Sequence, residues 1–348
     1  MIRLLLLSNM GPSAKKPNSG RFVYNQFKAL QKEKNLEVEY FYLTQDEVGR
    51  IKRLLRYPLF YIHFLAKFLF AKKVDIIHVH FFFPNILLAI TYKALINRKV
   101  KLIATFHGSD VYAYQPPSAL YKWAFTKLDH AIFVSKNLFE RFKSYVDVSE
   151  ASTSLLSAGI LDVYQPPTNQ TYEYDFIFVG HQNYNKGIDR LQKIAKKGAK
   201  IAVVGEGATS QWASQNGNIR VDFYGVLAPE QLVKLYCSSR FLLSLSRNES
   251  FGLVMTEAMA SGTPVIATET DGSRAQVIDG QNGLLLQNDD EWLDSKGYES
   301  LYQALKMSMN DYQLMQKEAL NSVSQHSLTY IVNNLLTIYQ KLILTRHH

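Results

Sequence analysis

A chain of 348 residues is too long for one ordinary hydrophobic core and suits two domains. With 47% hydrophobic and 13% aromatic residues it is no disordered tail, and its one cysteine, Cys237, excludes a disulfide framework or a cysteine-built metal site and fits a reducing compartment. The net charge of +9 is uneven: residues 1–165 hold 23 basic and 12 acidic side chains and residues 166–348 hold 16 and 18, so an acidic partner is expected for the first half alone.

The chain opens on Leu4–Leu7, a buried strand that gives way to Ser8, Asn9 and Met10 with no small-residue cleavage site, so no secretion signal is expected. Further strands are predicted at Leu36–Leu43, Ile76–His80, Lys101–Phe106, Ala131–Val134 and Thr153–Leu156, with helices at Phe22–Lys32, Ile51–Phe70, Ile86–Leu95 and Ala119–Lys127. Such alternation implies a parallel sheet covered by helices on both faces. Residues 50–73 carry seven Lys or Arg and no acid, interleaved with Leu54, Leu55, Leu59, Phe60, Phe64, Leu65, Phe68 and Leu69 at helical spacing. Two readings stand open: a helix lying on anionic lipid, or a core helix with a solvated basic rim. No stretch reaches the roughly 20 apolar residues needed to cross a bilayer, which implies a cytoplasmic protein, soluble or peripheral on the inner face of the plasma membrane.

Residues 162–175, with Pro166-Pro167 and a polar run, read as a linker. The rhythm then restarts, with strands at Phe176–Val179, Ala199–Val204, Arg220–Tyr224, Phe241–Leu245, Pro264–Thr268 and Gly283–Leu286. Helices fit at Lys186–Lys197, Pro229–Ser238, Gly252–Ser261 and, amphipathic and terminal, Leu328–Leu344. The division implied is 1–165, 166–325 and a tail 326–348 packing back on the first domain: two doubly wound α/β domains facing a cleft. Glycines that follow strands, among them Gly180, Gly205 and Gly225, let backbone approach a ligand at the carboxyl ends.

Ser246–Thr268, SRNESFGLVMTEAMASGTPVIAT, is the most informative segment. A strand ends in a polar loop, Ser250 is a suitable N-cap, and a helix begins near Gly252, which presents free amides as an anion site. Glu249 stands before that helix and Glu257 inside it. Acids beside an anion site suit a ligand with both phosphates and hydroxyls. In the first half, Gly20 closes the loop 8–20, and His107 ends a strand where it can meet a sugar, with Asp110 and Tyr112 as weaker acceptor-side candidates. His78 and His80 share one face of a strand without a third ligand nearby and read as structural, so no metal site is expected.

The run E-S-F-G-L-x3-E-A-M-A-S-G-T-P-V-I-A from Glu249 resembles the signature of the retaining glycosyltransferases of family 4, which have the GT-B fold. F-V-G at 178–180, K-G at 186–187, V-V-G-E-G at 203–207, F-Y-G at 223–225 and N-G-L-L at 282–285 agree with it in order along nearly the whole chain. The resemblance implies that Glu249 and the backbone of Ser250, Phe251, Gly252 and Leu253 hold a donor sugar, that Glu257 holds a ribose, and that Lys186 meets a diphosphate. It places Gly180, Gly205 and Gly225 around the nucleotide, the Gly20 loop near the phosphates, and His107 beside the sugar. His107, Lys186 and Glu249 are then the catalytic candidates.

The family usually has an arginine where this chain has His181, a weaker cation, which leaves Lys186, the helix dipole and Arg190 or Arg247 to compensate. The implied activity is transfer from a nucleoside diphosphate sugar, a UDP-sugar for preference, to a glycan or lipid-linked acceptor in cell-surface polysaccharide synthesis. Lysine and helix amides would stand in for a metal, and no Asp-x-Asp sequence is present to hold one. Competing readings are a nucleotide-sugar epimerase on a similar fold, which the glutamate segment argues against, a basic nucleic-acid binder, which lacks its motifs, and a dehydrogenase, for which Gly205-Glu206-Gly207 is too short a fingerprint.

Overall fold

Apolar runs in the sequence become the inner strands of two parallel sheets. The computed structural model describes residues 1–44, 46, 50–148, 153–167, 171–207 and 220–344, without the side chains of 50–54. Part of the linker and four members of the basic helix, Arg50, Lys52, Arg53 and Leu54, therefore lie outside the described positions or side chains. The chain divides into two compact units, Met1–Gly159 with Leu328–His348, and Ile160–Ser327. The first division falls six residues before the one placed at 165/166 from sequence.

In the first unit β1 (Ile2–Gly11), β2 (Leu36–Thr44), β3 (Ile76–His80), β4 (Lys101–Phe106), β5 (His130–Phe133) and β6 (Thr153–Leu155) form a sheet of order β2-β1-β3-β4-β5-β6. All five pairings are parallel. β1 runs to Gly11, past the polar residues that suggest a loop from Ser8, because Ser8 pairs with both Tyr42 and His80. β3 is buried throughout and β4 from Leu102 onward, as a sheet covered on both faces requires.

The basic helix spans Arg50–Leu69 and answers to neither sequence reading alone. Phe60, Phe64 and Phe68, four residues apart, are buried against Phe41 of β2, with ring centroids 4.9, 5.4 and 5.7 Å away. Leu55, Leu59, Ile62 and Leu69, with Phe70 just beyond, are exposed. The helix thus packs on the core by one stripe and carries a second apolar stripe outward, not merely a charged rim. No helix among the described residues is long and apolar enough to cross a membrane.

The second unit repeats the plan with β7 (Tyr174–Val179), β8 (Lys200–Val204), β9 (Arg220–Gly225), β10 (Ser239–Ser244), β11 (Val265–Thr268) and β12 (Gly283–Leu286), in the order β12-β11-β10-β7-β8-β9. Alternate side chains serve opposite faces. Phe176, Phe178, Ile201, Val203, Phe241 and Leu243 join one core, while Ile177, Ala202, Val204 and Leu242 join the other. Strand order reverses between β7 and β10, which is where open α/β sheets bind ligands.

Candidate active site

The turns leaving β7 and β10 lie on either side of that reversal, and each supplies a charge. Lys186 follows β7 and Glu249 follows β10; the lysine ammonium donates to Glu249 Oε2 in a short ion pair. Both side chains are mostly but not wholly shielded, at 29% and 15% exposure, so solvent or a ligand can still reach them. Gly187 makes this approach possible. It adopts φ +74°, and a Cβ there would lie 2.2 Å from the Leu245 carbonyl oxygen. The two turns are also bonded directly: Arg247 N–H donates to Asn185 O at 2.7 Å, and Asn185 Nδ2 donates to Asn248 O at 3.2 Å.

The helix that follows spans Leu253–Ala260. Its N-cap is Gly252, in the left-handed region at φ +83° and with no side-chain cap, rather than Ser250 as the sequence suggests. A Cβ on Gly252 would crowd Met255 at 2.6 Å and Glu249 at 2.9 Å, so glycine here leaves room for the acid. Met255 N–H turns back to Gly252 O at 2.9 Å, while the amides of Gly252, Leu253 and Val254 have no acceptor among the described residues. Phe251 is buried, and its carbonyl accepts from Gln276 Nε2; Gly272 N–H donates to Glu249 O at 2.8 Å. The turn is therefore fixed from behind, with its amides left for a ligand.

Glu257, on the second turn of this helix, is half-buried, and burial pushes its carboxyl up to about 7 against hydrogen bonds from Tyr164 and Tyr236 that favour the ionised form. Tyr236 donates to Glu257 Oε2 at 3.3 Å. Neither tyrosine stands out in the sequence, since each comes from a distant stretch. At the carboxyl ends of β7, β8 and β9 three glycines adjoin. Gly205 N–H donates to Gly225 O at 2.7 Å, and a Cβ on Gly205 would lie 2.0 Å from Gly180 O. A Cβ on Gly225 would meet nothing within 4 Å among the described residues.

Neither Arg190 nor Arg247 is available as the missing cation. Arg190 is buried and donates to Asp290, to Leu245 O at 3.0 Å and to Asn288 at 2.8 Å. Arg247 forks onto Asp189 at 2.9 and 2.8 Å, reaches Asp290 at 2.9 Å, and lies 3.6 Å over the Tyr184 ring. The hydrogen bond from Arg247 holds the Asp290 carboxyl below the usual range. This network braces the turns that carry Lys186 and Glu249. His181 is exposed at the end of β7.

In the first unit Gly20 caps the helix Arg21–Leu30 in the left-handed region at φ +60°, and a Cβ would lie 2.8 Å from Met10 O. His107 follows β4, and its Nε2 sits 3.1 Å from His80 Nδ1. Phe81 is the one non-glycine residue with positive φ among those described, a strained turn that brings its ring to 4.7 Å from His107. Asp110 is no acceptor-side group. Its buried carboxyl receives backbone N–H groups from Phe82 at 3.0 Å, His107 at 3.0 Å and Gly108 at 2.9 Å, and so anchors the histidine turn. His78 is structural as expected, held by Tyr339 and Thr105 at 2.7 Å each, whereas His80 touches a site candidate, which strand alternation alone does not show. No group of three or more metal-ligating side chains occurs among the described residues.

Two family models match the chain: Glycosyl transferases group 1 over residues 165–312 and Glycosyltransferase Family 4 over residues 20–160. N-acetyl-alpha-D-glucosaminyl L-malate synthase of Bacillus anthracis is 28% identical over 239 residues, or 62% of this chain and 62% of that protein. The match thus spans about six-tenths of that relative's length. D-inositol 3-phosphate glycosyltransferase of Corynebacterium jeikeium is 42% identical over 94 residues, 26% of this chain and 22% of that one. Among solved structures, sucrose-phosphate synthase from Thermosynechococcus elongatus has a TM-score of 0.79 at 19% identity, covering 99% of this chain and 100% of that one. Anabaena HepE in complex with UDP and glucose gives 0.72 at 16%, covering 98% and 100%. Two parallel-sheet units in this order, with a Family 4 match on the first and a group 1 match on the second, make the chain a family 4 glycosyltransferase of the two-domain GT-B fold.

Proposed function

We propose that the protein moves a sugar from a nucleoside diphosphate sugar, a UDP-sugar in this reading, to a glycan acceptor carried on a lipid, with retention of anomeric configuration, in building a cell-surface polysaccharide. The observation that carries this reading is the Lys186–Glu249 pair at the β7/β10 reversal, beside the unfilled amides of Gly252, Leu253 and Val254. As the bond from the anomeric carbon to the phosphate oxygen lengthens, negative charge grows on the leaving diphosphate. A fixed ammonium and a helix N-terminus oppose that charge without reorganising, and in this reading they do the work a divalent metal does elsewhere. Glu249 gives up part of its hold on Lys186 and accepts hydroxyls of the sugar, with the Ser250–Leu253 backbone beside it. Glu257, once ionised, accepts the ribose hydroxyls.

The base lies by Gly205 and Gly225, the diphosphate by Gly180, His181 and the Gly20 loop, and His107 contacts the sugar. That HepE was solved with UDP and glucose supports this class of donor. Retention follows a front-side route: the acceptor oxygen bonds to the anomeric carbon on the face the diphosphate leaves, and its proton passes to the departing phosphate oxygen. The lipid-borne acceptor is met at the inner membrane surface, to which the outward apolar stripe of Arg50–Leu69 and the following Lys72 and Lys73 give an anionic-lipid contact.

Thermal unfolding with UDP and a panel of UDP-, GDP- and ADP-sugars tests the reading. One UDP-sugar should raise the midpoint more than UDP alone. Glu249→Ala should keep the UDP shift, lose the increment due to the sugar, and lower transfer to a lipid extract by about a hundredfold. A panel with no stabilising nucleotide sugar, or full transfer by Glu249→Ala, overturns it.

A further inference from the structure

His80 has no part in the function proposed above, yet it is fully buried at the end of β3 and meets His107. Its place is rigid. Asn85 Nδ2 donates to the carbonyls of His80 and Phe81 at 3.2 and 3.1 Å, and the His80 ring stacks on His78 at 4.5 Å. The His107 ring is clamped as well: Phe22 and Phe81 flank it at 4.9 and 4.7 Å, and it meets His80 edge to edge, with centroids 5.3 Å apart and only 20° between the planes. Burial holds all three histidines far below the usual imidazole range, His80 at about 3, so each ring is neutral and carries one proton.

In a neutral pair joined Nδ1 to Nε2, one nitrogen donates and the other accepts. His80 Nε2 settles which. It is buried and has no hydrogen-bond partner among the described residues. Were the shared proton on His107 Nε2, the proton of His80 would sit on that buried Nε2 as an N–H with nowhere to donate. A buried orphaned N–H is the rarer and costlier defect. The other arrangement places the His80 proton on Nδ1, where His107 Nε2 accepts it, and leaves a bare lone pair at His80 Nε2. His107 must then carry its own proton on Nδ1.

We propose that His80 is a positioning residue that holds His107 in the tautomer protonated at Nδ1. His107 thereby presents its Nδ1 only as an N–H donor, while its Nε2 is occupied by His80. Such an N–H donates to a hydroxyl or carbonyl oxygen and rejects a group that can only donate. The tautomer follows from the first unit alone; its consequence for transfer rests on the reading of His107 as a sugar contact.

Long-range proton–nitrogen correlation spectra of the full chain labelled with [15N]histidine read the tautomer without any substrate. The wild-type protein should show His107 with Nδ1 protonated and Nε2 bare. A spectrum with the proton on His107 Nε2 overturns the proposal and needs no variant to do so. His80→Asn, whose amide keeps a donor near the Nδ1 position, should preserve the His107 signature and most of the transfer. His80→Leu, which keeps the bulk without the donor, should mix the two tautomers and lower transfer about tenfold. An unchanged His107 signature in a folded His80→Leu protein also overturns it. If the spectra behave as expected and transfer is insensitive to both variants, His80 still sets the tautomer and it is the sugar-contact reading of His107 that fails.

Discussion

Glu257 shows how one carboxyl can couple folding and nucleotide binding to pH in opposite senses. Its folded-state value of about 7 lies above the ordinary 4.5 because burial disfavours the charge, with Tyr164 and Tyr236 partly compensating. The stability associated with the protonated form is complete below the unfolded value and is lost as pH rises through 7. Binding has the reverse sign under the proposed role, since only the carboxylate accepts two ribose hydroxyls. The ionised fraction climbs from about one-tenth at pH 6 to about nine-tenths at pH 8, so affinity for UDP-glucose should rise roughly tenfold over that range. UDP-glucose suits the measurement because its diphosphate does not titrate there. Calorimetric titration of the wild type and of Glu257→Gln checks this: the variant should bind weakly with the same Kd at both pH values, and its unfolding midpoint should fall less between about pH 5 and pH 7. Asp110, raised by burial to about 6, contributes to the same stability window, and the difference between the two proteins removes it. A wild-type Kd that does not change between the two pH values would exclude an ionising Glu257 from the ribose contact.

At the scale of elements, the helix Arg50–Leu69 carries the next prediction. Its buried stripe, Phe60, Phe64 and Phe68, holds the fold, so Leu59, Ile62 and Phe70 on the outward side can be changed without opening the core. Triple substitution of these to Ser should leave unfolding nearly unchanged and lower binding to phosphatidylglycerol vesicles by about tenfold or more, because each apolar side chain in the interface contributes on the order of 1 kcal/mol. A wild-type protein that stays in the supernatant with such vesicles at low salt would dismiss the lipid contact. The same helix shows what was legible in the sequence. Spacing four apart exposes the Phe60–Phe64–Phe68 stripe directly, and strand–helix alternation gave β3, β4 and β12 their observed bounds. Neighbours supplied by other parts of the chain were not legible. The helix Lys136–Lys143, capped by Ser135, spans eight residues and buries only Leu138 and Phe142, too short a run to stand out beside β5. Ser250 has the right chemistry for an N-cap, but the crowding of Glu249 and Met255 around Gly252 moves the cap two residues on. Arg190 and Arg247 read as spare cations until Asp189, Asn288 and Asp290 are brought to them. The glutamate segment was readable because its chemistry is local: one turn, one cap, one helix.

At the scale of the whole molecule, the first unit is finished by the last stretch of the chain. The chain leaves that unit at Gly159 and returns to it at Leu328, where the helix Leu328–Leu344 packs on Arg21–Leu30. Gly159 takes φ +83°, and a Cβ there would press on Ile331 at 3.1 Å, so the exit point and the returning helix fit closely. Ile331, Leu335 and Tyr339 are buried, and Tyr339 adds a polar tie, its hydroxyl 2.7 Å from His78 Nδ1. The other nitrogen of His78 is held by Thr105 of β4, so one buried imidazole links the C-terminal helix to two central strands. Removing only the hydroxyl, with Tyr339→Phe, keeps the packing and leaves His78 Nδ1 buried without its partner, which costs about 1–3 kcal/mol. Hydrogen exchange should then quicken in peptides covering 76–80 and 101–106 and remain unchanged in those covering 239–244, whose core is separate. Ending the chain at Ser327 removes the apolar contacts as well and should make 1–159 protease-sensitive throughout. Exchange in β3 and β4 unaltered by Tyr339→Phe would mean that His78 gains nothing from the tyrosine, and that the C-terminal helix is held to the first unit by its apolar face alone.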